Sequence, residues 1–159
     1  MPFRSGNRLR LVNLITNIIT TYAFTGTPGS EGDDGPATSA TVNLLRGGWE
    51  DSNGIIYIND CNSARLRKIE NTAPYFIRAL AGTGVASAQS TLLNGDFGPS
   101  TSATFNTPWQ VWCDSLNTLY LADWGNNKIR TIDLSTGANN VRTFAGNGNA
   151  TQIEANSGE

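Results

Sequence analysis

Carboxylates return in this 159-residue chain at a fixed interval: Asp33, Asp51 and Asp60 are matched by Asp96, Asp114 and Asp123, each 63 positions on. A carboxylate can chelate a divalent cation or exchange a proton, but a calcium loop needs oxygen ligands at alternating positions, and no stretch here offers them. Histidine is absent, which removes the commonest general base and the commonest zinc ligand. Asp33, Asp34 and Asp96 stand among glycines, while Asp60 and Asp123 close apolar runs. In either setting a carboxylate accepts backbone N–H groups and holds a turn. The aspartates are therefore expected to build turns, with no catalytic residue, metal or cofactor among them.

Tryptophan offers a different chemistry, because aromatic side chains dominate binding hot spots. Trp124 falls in a loop and Trp109 opens a strand; each reads as a binding anchor or as packing between units. Trp49 and Trp112 repeat inside strands and are expected in the core. Cations also recur, at Arg8, Arg10, Arg65, Arg67, Lys68, Lys128 and Arg130. They alternate with Leu9, Leu66 and Ile129, so one strand face presents aliphatic surface and the other charged stems. With a net charge of −2 and no aromatic residues between these cations, RNA is not an expected partner.

The elements that position these residues come in copies. Gly32-Asp33-Asp34-Gly35-Pro36-Ala37-Thr38-Ser39-Ala40-Thr41-Val42-Asn43 returns as Gly95-Asp96-Phe97-Gly98-Pro99-Ser100-Thr101-Ser102-Ala103-Thr104-Phe105-Asn106, and the register continues through Trp49/Trp112, Tyr57/Tyr120 and Arg67/Arg130. Constant spacing over such a stretch marks one supersecondary unit copied and stacked. In the second copy, strands are predicted at Pro108–Cys113, Thr118–Ala122, Lys128–Ile132 and Asn140–Phe144, separated by Asp, Asn, Ser and Gly turns. The first copy repeats them at Arg46–Glu50, Ile55–Ile58, Arg65–Ile69 and Tyr75–Leu80. Upstream, Arg8-Leu9-Arg10 matches Arg65-Leu66-Arg67, and Phe24-Thr25-Gly26 matches Leu80-Ala81-Gly82.

Four-stranded antiparallel units with two apolar faces stack as the blades of a β-propeller. The expected fold is all-β, a partial propeller with an N-terminal half blade (1–26), two full blades (27–82 and 83–148) and a polar tail or start of a further connector (149–159). On that geometry the loops from second to third strand share one rim with the inter-blade connectors. Binding sites are written where copies differ, as at Asp34 against Phe97 and Cys61 against Trp124. The candidate binding face is Trp124, Trp109, Asn126, Asp34 and Phe97. Cys61 and Cys113 fall at opposite strand ends, about 17 Å apart, beyond the roughly 7 Å a disulfide bridges, so two free thiols are expected.

The series Tyr120-Leu121-Ala122-Asp123-Trp124-Gly125-Asn126-Asn127-Lys128-Ile129-Arg130, with Gly-Asp-x-Gly-Pro-x-Thr-Ser-Ala upstream and Phe144-Ala145-Gly146-Asn147-Gly148 downstream, resembles the NHL-repeat propellers. The resemblance covers residues from about Asn7 to Gly148. It is looser in the first copy, where Ser63 stands in the place of Asn126. It implies six or so blades and mainly binding roles, to protein or a small ligand. Some relatives are metal-dependent lyases or hydrolases, so the alternative is a fragment of an enzyme whose catalytic residues lie elsewhere. A closed ring takes about four or more blades, roughly 250 residues at this repeat length. The chain therefore reads as a segment whose open faces are covered by further blades or by copies of itself. Asn13 and Asn17 interrupt the apolar stretch after Arg10 and no cleavage pattern follows, so neither a secretory leader nor a membrane span is expected. No compartment follows from these residues.

Overall fold

The computed structural model describes residues 7–87 and 94–149. Its strands form three antiparallel sheets. β1 (Leu9–Val12) and β2 (Ile19–Ala23) make a two-stranded sheet. β4 (Leu45–Glu50), β5 (Ile56–Asp60), β6 (Arg65–Ile69) and β7 (Phe76–Ala81) form a meander, widened at the β7 edge by the two-residue β3 (Gly35–Pro36). β8 (Pro108–Cys113), β9 (Thr118–Asp123), β10 (Lys128–Asp133) and β11 (Val141–Ala145) repeat the meander. A single bridge from Pro99 to Asn140 stands where β3 pairs with β7. The fold is a partial β-propeller, two blades and a half.

Strand alternation decides what each blade buries. Val111, Cys113, Leu119, Leu121, Ile132 and Val141 point from the second blade onto Tyr57, Leu66, Leu80 and Ala81 of the first. Ile58, Ile69 and Ile77 point the other way, onto Ala23 and Phe24 of the half blade. Each aliphatic chain hidden in this way contributes about 1.5–3 kcal/mol. The connectors plug the seams: Ala103 and Phe105 enter the first interface, Ala40 and Val42 the second.

A register irregularity recurs at one place in all three units, between Leu9 and Arg10, Leu66 and Arg67, and Ile129 and Arg130. It places Ala23 opposite Leu9 as Ala81 lies opposite Leu66. Phe24, and not Gly26, therefore stands where Gly82 stands, two residues from the match expected by residue type. Phe24 and Gly82 share a positive φ of 69° and 93°, and both donate N–H groups to the next connector, at Ala37 and Ser100. Local spelling favoured the Thr-Gly pair, but hydrogen bonding to the connector sets the true register.

Two further expectations are corrected. Trp49 and Trp112 are not core residues, being 38% and 45% exposed; they sit on blade faces and touch edge to face at 6.0 Å. Arg67 and Arg130 are not solvated stems but fully buried, because each neutralises two aspartates. The expected tail, from residue 150 on, lies outside the described residues.

Candidate functional site

Each blade is clamped by a buried arginine. Arg130 lies 2.8 Å from Asp96 in the connector and 3.1 Å from Asp123 at the end of β9. Arg67 repeats this with Asp33 at 2.8 Å and Asp60 at 3.5 Å. Arg67 also donates to the carbonyls of Thr41 and Glu31. Asp60 and Asp123 in turn accept the N–H groups of Asn43 and Asn106, both at 2.8 Å. By residue type these aspartates are expected to hold their own turns; instead Asp60 and Asp123 tie down the connector 17 residues upstream, and Asp33 and Asp96 are held by the arginines. Burial pushes both carboxyls above the ordinary range, against the pull of those N–H groups and of the arginines. Arg67, Arg130, Asp60 and Asp123 are fully buried, so the set is a structural rivet. Among the described residues no three carboxylates or thiols converge as a metal site requires.

The five candidate residues separate into three places. Trp109 and Trp124 come together, with ring centres 5.7 Å apart and planes inclined at 49°; Trp124 is 63% exposed and Trp109 36%. Trp124 opens a single 3-10 turn between β9 and β10, closed by Asn127 at φ 51°. Asn126, in the same turn, is fully buried. Its amide donates to Asp123 at 2.9 Å and accepts from Ser87 at 2.8 Å, so it holds the corner and presents nothing to a ligand. Asp34 and Phe97 lie at the far edges of their blades, on the stretches that pair with β7 and β11. The guanidinium of Arg78 is 3.9 Å from Asp34 and that of Arg142 is 5.8 Å from the Phe97 ring. Phe97 lies beyond β11, at least three strand spacings, about 14 Å, from β8, and Asp34 lies beyond β7 at the corresponding edge of the first blade, so neither joins the tryptophans in one site.

One residue of the rim site was not foreseen. Arg46 of β4 stacks its guanidinium on the Trp109 ring at 4.3 Å from the centroid. It does so because β4 and β8 run side by side, and because residue 47 is glycine. A Cβ there would lie 2.7 Å from the Trp109 carbonyl oxygen and 2.6 Å from the Gln110 side chain. Arg46 also lies close enough to Cys61 to act on its thiol. Burial pushes that thiol up, with Arg46 opposing. Arg46 and Cys61 occupy in the first blade the positions that Trp109 and Trp124 occupy in the second. The signal was present as a difference between copies at 46 and 109, as it was at 61 and 124. Cys61 and Cys113 are both free and buried.

Comparison with known proteins returns the fold. No family model matches the chain, and no curated protein sequence matches it. Among solved structures, a protein of unknown function from Bacteroides thetaiotaomicron superposes with a TM-score of 0.64 at 20% identity, over 94% of this chain and 33% of that one. An auxiliary nutrient binding protein from the same organism gives 0.60 at 15% identity, over 89% and 31%. Virginiamycin B lyase from Staphylococcus aureus gives 0.48 at 21%, over 87% and 34%. The chain thus spans about a third of the length of each. These neighbours are propeller-like, in keeping with the blades described above.

Proposed function

We propose that the chain is a segment of an NHL-type β-propeller that serves as a non-enzymatic binding scaffold, engaging a protein or small ligand through the rim that carries Trp109 and Trp124. One observation carries this reading. The two blades agree in their buried arginine clamps and turn aspartates, and diverge at the rim, where Arg46, Trp109 and Trp124 are in contact and both indoles are partly open to solvent. Indoles held open in this way supply rigid contact area at low entropic cost. Further blades are the proposed neighbours of the open sheet faces, since the chain matches about a third of each propeller-like neighbour.

A displayed peptide library and a fragment library, selected on the native chain, test the reading. Ligands are expected whose binding is lost in the Trp109→Ser, Trp124→Ser double variant and retained in Trp112→Ser, with melting temperatures of all three matched to within a few degrees. Ligands indifferent to the double variant, or none at all, would overturn it.

A further inference from the structure

The geometry points to a ligand class for this rim: a small arene carboxylate, its ring laid against the Trp109 and Trp124 indoles and its carboxylate held by Arg46. The inference rests on the rim being a binding face and adds the chemistry of what it binds.

A guanidinium stacked on an indole uses its face and leaves its N–H edge available, and that edge matches a carboxylate in bidentate fashion. The two fully buried arginines, Arg67 and Arg130, are each paired with two aspartates, although the Nε of Arg130, like that of Arg46, has no acceptor. Arg46 differs. Among the described residues no carboxylate pairs with it, its Nε is buried without an acceptor, and its polar neighbour is the weakly accepting Cys61 thiol.

The second part is the pair of rings. Trp109 bridges Arg46 to Trp124, with contacts of 4.3 Å and 5.7 Å. The 49° inclination leaves the indoles splayed, with Trp124 mostly in solvent. An arene set on this platform gains stacking and lies one ring from the guanidinium, a separation that a carboxylate joined directly to the ring spans. Among the other described cations, Arg78 faces Asp34 and Glu70 and Lys68 faces Glu70, while Arg142 lies over the single ring of Phe97 and lacks the paired indoles of the rim. The net charge of −2 disfavours anions in general, so retention must come from this local cation.

Calorimetric titration with 2-naphthoate and with its neutral partner 2-naphthamide tests the assignment. Naphthoate is expected to bind the native chain about tenfold more tightly, the worth of one charge-assisted hydrogen bond. Arg46→Gln should equalise the two ligands, and Arg46→Lys, which keeps the charge without the planar fork, should lose most of the preference. Trp124→Ala should weaken both ligands alike, while Trp112→Ala changes neither. Circular dichroism and melting temperature confirm that each variant is folded before it is titrated. Equal binding of the two ligands by the native chain, or a preference that survives Arg46→Gln, would overturn the ligand class. If neither naphthyl ligand binds at millimolar concentration while library ligands still depend on Trp109 and Trp124, the ligand class falls and the binding rim stands. If those fail as well, both readings fall.

Discussion

Arg130 shows how little a side chain's charge says about where it resides. Its side chain is fully buried, tolerable because Asp96 and Asp123 flank it at 2.8 and 3.1 Å. Removing one partner of such a set leaves charge buried without compensation, which costs about 3–5 kcal/mol. Arg130→Met is therefore expected to lower the unfolding free energy by about that amount in urea titration, while Arg142→Met, on the exposed β11 position, should change it by less than about 0.5 kcal/mol. Tyr57 makes a prediction in the alkaline range. Burial first, and then the Asp51 carboxylate that accepts its hydroxyl at 3.1 Å, push its ionisation well above the ordinary tyrosine value. The sign follows from linkage: an acid whose folded value is raised stabilises the fold fully below its unfolded value, near 10, and that contribution is lost as pH rises toward the folded value. Spectrophotometric titration should show Tyr57 ionising late or only on unfolding. Tyr57→Phe should remove that late step and flatten the loss of stability above pH 10.

Among the elements, the β4–β8 contact governs the site. Both strands are the inner edges of their sheets, and Gly47 lets their backbones approach closely enough for Arg46 to cover Trp109. Gly47→Val would force the strands apart. The expected cost is about 1–3 kcal/mol of overpacking, together with a change in the Trp109 indole N–H resonance as the guanidinium leaves its ring. A stable variant with that resonance unmoved would show that the glycine is not what sets the stacking. Connectors matter as much as strands, since Val42 and Phe105 fill the seams between units, and a hollow of about 250 Å³ beside Trp124, Ile129, Ala145 and Gly146 lies where the first blade receives Phe105 against Gly82.

For the whole molecule, the outer face of the second blade is the informative surface. Trp112, Tyr120 and Phe144 form a continuous aromatic row, with centroids 5.5 and 5.3 Å apart, and Phe144 is 66% exposed. Their counterparts in the first blade include Tyr57 and Leu80, which the second blade covers. An apolar surface of this kind favours association. Light scattering on a sizing column should find the isolated chain self-associating at micromolar concentration. Trp112→Lys combined with Phe144→Lys should render it monomeric without lowering its melting temperature. A native chain that remains a stable monomer would contradict the idea that this face wants a neighbour.

Much of this was legible in the residues, because a repeat imposes the same local demands twice. Strand positions, the two free thiols and the partial propeller all follow from alternation and turn chemistry, which act over a few residues. What the sequence could not rank was contact between distant positions. Whether Arg67 and Arg130 point outward, whether Trp49 and Trp112 are covered, and whether Asn126 faces a ligand or its own turn depend on which blade face meets another. The meeting of Arg46 with Trp109, 63 residues apart, depends on how closely two sheets can approach. Those outcomes belong to packing between sheets, where burial and the pairing of charge are settled jointly by groups far apart along the chain.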